Sequence, residues 1–237
     1  MSDKGQLYIV ATPIGNLEDI TFRALRVLKE VDVIACEDTR HTRKLLTHFQ
    51  ISKPLISYYQ QNQMARTEEI MNRVHQGEKV ALVCDAGTPG ISDPGSYLIQ
   101  SAIQNEVDVV PIPGPCAAIT ALMAAGLPTD RFFFYGFLPI KSGKRRKILE
   151  ALSTLETTLV FYEAGNRLSR MLQDLNESLG NRRIVIAREL TKFYEEFKRG
   201  EIETLIPSIP REGLKGECVI LVNLRIMGEG THEKEES

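Results

Sequence analysis

The 237-residue chain has no long apolar run; none reaches the roughly 18 residues needed to cross a bilayer. Its first residues are polar, unlike a signal peptide, so a soluble cytoplasmic protein with no membrane partner is expected. Charge of one sign is also missing. Lys and Arg number 29 against 31 Asp and Glu, a net charge of −2, which argues against a globally basic nucleic-acid binder. Any RNA contact would have to come from a local basic patch. Cysteine is scarce and dispersed: Cys36, Cys84, Cys116 and Cys218 make no C-x-x-C pair, which favours buried free thiols in a reducing compartment. The four histidines (His41, His48, His75, His232) form no ligand cluster, so no metal is expected. G-x-G-x-x-G does not follow the first strand, and no G-x-x-x-x-G-K-[ST] occurs. NAD-dependent hydride transfer and nucleotide hydrolysis both lose ground on those absences.

What is present is an ordinary core-building composition, 43% hydrophobic and 25% charged, in a length that suits one large or two small domains. The most informative stretch is 80–95. It opens as a short apolar run, as a strand buried on both faces does, and then packs three glycines and two prolines between Gly87 and Gly95. Asp93 offers an N-cap and Pro94 a first helical residue for the helix expected next. Strand, glycine-rich loop and helix start mark where an open α/β sheet binds its ligand.

Elsewhere in the first half, strands are expected at 7–11, 31–36, 54–57 and 107–112, with helices at about 19–30, up to 49, 65–75 and up to 105. Strands alternating with helices mean βαβ units and a mostly parallel sheet. After a small-residue helix at 116–125, a second α/β set reads as a mixed sheet, with strands at 132–136, 158–162, 183–188, 195–199 and 217–224 and helices at 142–152 and 166–179. The expected organisation is an α/β fold of two domains, 1–114 and 115–225, and a polar disordered tail, 226–237.

Three Gly/Pro loops fall at carboxyl ends of first-half strands: 12–16, 87–95 and 113–115. They present main-chain N–H and C=O groups without side-chain obstruction, which suits a nucleoside or a ligand carrying both amine and carboxylate. Ala11-Thr12-Pro13-Ile14-Gly15-Asn16, Glu37-Asp38-Thr39-Arg40, the Asp85–Gly95 stretch and Pro113-Gly114-Pro115-Cys116-Ala117 resemble the tetrapyrrole-methylase superfamily. With Gly136-Phe137-Leu138-Pro139 and Arg188-Glu189-Leu190-Thr191-Lys192, they resemble more narrowly its branch of 16S rRNA cytidine 2′-O-methyltransferases, over about residues 6–224.

The resemblance implies two α/β domains of the tetrapyrrole-methylase fold, S-adenosyl-L-methionine held between them, 16S rRNA of the small ribosomal subunit as substrate, and a homodimer. The family's cofactor positions map onto Pro13 and Gly15, onto Thr88, Pro89, Gly90 and Ile91, and onto Gly114, Pro115, Cys116 and Ala117. Tyr162 and Glu163 would close the site. Two departures stand out: Gly165-Asn166-Arg167 and Tyr59-Gln60-Gln61-Asn62 lack histidines common in the family at those places, so no catalytic histidine is assigned.

A ribose hydroxyl must lose its proton near the transition state, and a placed base is worth roughly 10²–10⁴-fold. Asp85, Glu189 and Lys192 are the principal candidates, beside Asp38 and Glu163, and Lys192 qualifies only if burial depresses its pKa. Each also reads as a cap or an ion-pair member. Lys141 to Lys147 carries five cations in seven residues; at a helix start these oppose the dipole, so phosphate contacts through Lys144, Arg145 and Arg146 are expected, extended by Arg40, Arg43 and Lys44. The aromatics Phe132, Phe133, Phe134 and Tyr135 read as core strand. Two rival functions remain: methylation of a tetrapyrrole or other small molecule, and a nucleotide-binding protein without turnover.

Overall fold

The computed structural model describes residues 5–225. The expected tail lies outside them. The chain divides into two compact units, the first ending at Ala117 and the second beginning at Ala118.

The first unit is built on β1 (Gln6–Val10), β2 (Val33–Cys36), β3 (Leu55–Ser57), β4 (Lys79–Val83) and β5 (Asp108–Ile112), all parallel in the order β3-β2-β4-β1-β5. The helices between them are α1 (Phe22–Glu30), α2 (Thr39–His48), α3 (Gln63–His75) and α4 (Ser96–Gln104). Side chains alternate across the sheet with period two. Val10, Ile34, Cys36, Ala81 and Val83 face α1 and α2; Leu7, Ile9, Val33, Ala35, Val80 and Leu82 face α3 and α4. Covering both faces is why these strands are near-continuous apolar runs.

Local signals set most helix starts. The Thr21 hydroxyl accepts the N–H of Ala24 and caps α1, and the Asp38 carboxylate accepts the N–H of Arg40 and caps α2. Asp93 and Pro94 do not open α4. Residues 92–95 instead double back, and the helix starts at Ser96 behind Gly95, whose φ is 149°. A Cβ on Gly95 would lie 3.1 Å from the N of Gly90 and 3.0 Å from Leu82, so the loop closes on itself only without a side chain there.

The second unit starts with α5 (Ala117–Ala125), whose first residue closes the preceding unit. It continues with β6 (Phe132–Phe137), α6 (Ser142–Leu152), β7 (Thr158–Ala164), α7 (Leu168–Leu179), β8 (Arg183–Arg188), β9 (Glu196–Glu201), a single turn α8 (Ile202–Leu205) and β10 (Glu217–Asn223). The sheet order is β6-β7-β10-β8-β9, with β6 parallel to β7 and the other pairs antiparallel, as expected for a mixed sheet. One face packs on α6, α7 and α8 through Leu159, Phe161, Ile184, Ile186, Ile220 and Val222. Arg199 on β9 donates to the carbonyls of Ala124 and Ala125, tying down the end of α5.

The aromatic run in β6 is not core. Phe132, Phe133, Tyr135 and Phe137 are exposed, and only Phe134 is half-buried. Among the described residues β6 is an edge strand, paired with β7 on one side and with no strand on the other. Among the described residues no helix is long and apolar enough to cross a membrane.

Candidate functional site

β4, β1 and β5 are neighbours and run the same way, so the loops that leave their carboxyl ends emerge side by side. Hydrogen bonds join all three. The N–H of Thr12 donates to the carbonyl of Gly87 at 2.8 Å, and the N–H of Gly87 returns to Thr12 at 3.0 Å. The Thr12 hydroxyl, buried, donates to the carbonyl of Cys84 at 3.0 Å. The Thr88 hydroxyl donates to the carbonyl of Pro115 at 3.1 Å, tying the second loop to the third. Gly114 closes the triangle: a Cβ there would stand 2.9 Å from the Cβ of Ala11, so the third loop lies flush on the end of β1 only because the residue is glycine.

The structure therefore gathers Pro13, Gly15, Thr88, Pro89, Gly90, Ile91, Gly114, Pro115, Cys116 and Ala117 around one sheet edge. Gly15, Ile91 and Gly114 are exposed, and Thr88, Gly90, Pro115, Cys116 and Ala117 are half-buried. Beneath them the Cys84 thiol is buried, and burial together with the neighbouring Asp93 pushes its pKa far up, leaving it unreactive. A shallow groove of about 360 Å³ runs beside Pro89 and Ile91 along Ile99 and Ile103 of α4. No residue of the first or third loop lines it, so it is separate from the point where the loops meet.

Residues 6–206 match the tetrapyrrole (corrin/porphyrin) methylases. The chain is 50% identical over 234 residues to ribosomal RNA small subunit methyltransferase I of Halalkalibacterium halodurans, covering 99% of this chain and 79% of that protein. It is 49% identical over 219 residues to the protein of the same name from Synechocystis, covering 92% and 78%. The chain belongs to that methyltransferase family. In fold it is also similar, at 19% identity and a TM-score of 0.63 over 93% of this chain and 98% of the other, to the uroporphyrin-III C-methyltransferase of Thermus thermophilus complexed with S-adenyl homocysteine.

The loops fit the cofactor such methylases use. They offer a rim of main-chain groups at Gly15, Gly90 and Gly114 beside the exposed, apolar Ile91, with Pro13 and Pro89 buried behind it. That combination suits an adenosine bearing an amino-acid arm.

Tyr162 and Glu163 do not act together. As successive residues of β7 they point to opposite faces of the sheet. The Tyr162 hydroxyl accepts the N–H of Ala118, satisfying one of the bare donors at the start of α5. Glu163 follows Leu159 and Phe161 inward, is 1% exposed, and is paired with Arg167 and with the N–H of Ala164. It is a buried brace, not a rim residue.

The methyltransferase's expected bases separate in the same way. Asp38 is the cap of α2, and the Arg40 hydrogen bond holds its pKa down to about 2. Lys192 fails the condition set for it. Burial lowers its pKa, but hydrogen bonds to Glu189 at 2.9 Å and Glu217 at 3.0 Å outweigh that and raise it on balance. Glu189 is held below its ordinary value: burial raises it, and the Lys192 bond and the N–H of Glu217 prevail. Asp85 stays at the loop cluster, half-buried at the end of β4, where its Oδ1 accepts the N–H of Asp38 at 3.2 Å.

The basic run splits by helical face. Arg145 is 2% exposed, and its Nε donates to Asp174 of α7 at 2.6 Å. Arg146 bridges Asp174 and Glu177 of α7. Arg145 is thus excluded from RNA contact, because four residues before the fully buried Leu149 it occupies the inward stripe of α6. Lys141, Lys144 and Lys147 are exposed, as are Arg40 and Arg43 of the other unit. Arg145→Met should destabilise the protein by about 3–5 kcal/mol in urea titrations, because it strands a buried carboxylate. Replacing Arg145 and Asp174 together by apolar residues should restore most of that. Neutralising Lys141, Lys144 and Lys147 should instead leave stability alone and flatten the salt dependence of RNA binding by about 2 in log–log slope, roughly 0.7 per lost phosphate contact.

Proposed function

We propose that this protein transfers a methyl group from S-adenosylmethionine to the ribose 2′-hydroxyl of a cytidine in 16S rRNA of the small ribosomal subunit, acting in the cytoplasm as a homodimer. The observation that carries the reading is the convergence of three bare main-chain loops at adjacent strand ends, in a chain about half identical to methyltransferases named for that RNA. When bound, the cofactor supplies a sulfonium methyl group with its own leaving group, so alignment matters more than acid catalysis.

The chain's part is to hold and to orient. Pro13 and Gly15, Thr88 to Ile91 and Gly114 to Ala117 grip the cofactor through main chain. Asp85, at the same rim, takes the proton of the attacking hydroxyl. Lys141, Lys144 and Lys147, with Arg40 and Arg43, meet RNA phosphates as exposed point charges. Small-molecule tetrapyrrole methylation is the weaker reading. Nothing in a porphyrin-like substrate calls for a solvent-facing row of lysines.

The test is transfer of labelled methyl to small subunits from cells lacking this protein, with the modified nucleoside mapped and typed. A base-methylated nucleoside, or no transfer despite cofactor binding, would overturn the reading. Sedimentation equilibrium checks the dimer.

A further inference from the structure

The segment 188–195 joins β8 to β9, and it held the residues that suggested catalysis. Its ionisable groups are engaged with one another. Glu189 accepts from Lys192 and from the N–H of Glu217; Lys192 also reaches Glu217; Arg188 donates to Glu196 at 3.1 Å. Main-chain bonds add to this: the N–H of Lys192 donates to the carbonyl of Glu189, that of Glu195 to Lys192, and that of Thr191 to the Glu195 carboxylate at 2.6 Å. Glu189 and Thr191 are held at φ 50° and 64°, a left-handed conformation that non-glycine residues rarely adopt without such support. All of this bracing raises two side chains into solvent. Phe193 is 93% exposed and Tyr194 69%, with the rings edge to face at 5.0 Å and 88°. Hydrophobic burial favours tucking two such rings away, yet the hydrogen-bonded loop holds them out.

We propose that Phe193 and Tyr194 form a stacking tip that takes an unpaired base of the substrate RNA. This rests on the ribosomal-RNA reading above. Sequence-specific proteins reach RNA mainly at unpaired, splayed bases, and aromatic faces are the usual support for them. A braced tip loses little conformational freedom when a base lands on it. Local charge points to stacking rather than phosphate contact. Arg188 and Lys192 already hold carboxylates, and Glu195 and Glu217 are exposed beside them. A phosphate-binding surface would be cationic; this one is not.

The test compares wild type, a Phe193→Ala/Tyr194→Ala double variant and Phe193→Trp for binding to small ribosomal subunits that lack the methyl group, across a salt series. Loss of one stacked base predicts roughly ten- to hundred-fold weaker binding by the double variant. Its salt slope, cofactor affinity, thermal stability and oligomeric state should stay those of wild type, and Phe193→Trp should bind like wild type. Unchanged affinity in the double variant would overturn the proposal. So would a change in salt slope, dissociation of the protein into smaller species, or an equal loss in Phe193→Trp. Failure of the wild-type protein itself to bind subunits would instead sink the RNA reading, and this proposal with it.

Discussion

Asp85→Asn is expected to lower kcat for methyl transfer by about 10²–10⁴-fold while leaving the dissociation constant for S-adenosylmethionine within a few-fold of wild type. Asparagine keeps the shape and still offers an oxygen to the N–H of Asp38, so the Asp38–Asp85 contact survives. What is lost is a group able to accept a proton. Single-turnover rates of methyl transfer, measured beside calorimetric titration with the cofactor, check it. A variant with full kcat, or with kcat and cofactor affinity falling together, would make Asp85 a structural member of the loop cluster and leave the proton without an assigned acceptor.

Gly114→Arg should abolish measurable cofactor binding. The reason is mechanical: even the first carbon of a side chain would stand 2.9 Å from the Cβ of Ala11, closer than real Cβ contacts come, so the third loop must lift off β1. That shift would pull on the Thr88–Pro115 bond and so on the second loop as well. Gly114→Ala isolates the close approach from the bulk of the arginine and should weaken binding by an intermediate amount. Calorimetric titration with the cofactor, beside circular dichroism to show that the sheet persists, checks both. Wild-type affinity in Gly114→Arg would remove the third loop from the site.

The elements that were legible in the sequence share a local cause. β1, β2 and β4 are short apolar runs ended by turn residues, and their loops carry glycine and proline whose backbone demands are intrinsic. The errors lie where an environment decides. Arg145 looked like one of five equivalent cations, although its spacing from Leu149 places both on one stripe; the missing information was that α7 brings Asp174 to meet it. Glu163 shows the same pattern: two residues beyond Phe161 and four beyond Leu159, it had to share their inward face, and Arg167 together with the N–H of Ala164 makes that burial tolerable. Phe132 to Tyr135 have the composition of core strand, and nothing local says that β6 ends up at an edge. Asp93 and Pro94 make a plausible helix start that the backward fold of residues 92–95 overrides. The aromatic tip was invisible for a related reason, since Lys192 and Glu189 drew notice as chemistry when their partners make them scaffolding.

The order β3-β2-β4-β1-β5 carries an implication for assembly. β4 slots between two strands that precede it in the chain by more than 40 residues, and its loop bonds to Thr12 and Pro115 on the β1 side and, through Asp85, to Asp38 on the β2 side. Such distant pairings close late, because the chain must first lose the freedom of the intervening segments. An intermediate still missing that central insertion would have correct helices and no grip on a nucleoside at all. Ligand capture by the nascent chain would thus mark the moment at which the first unit is complete.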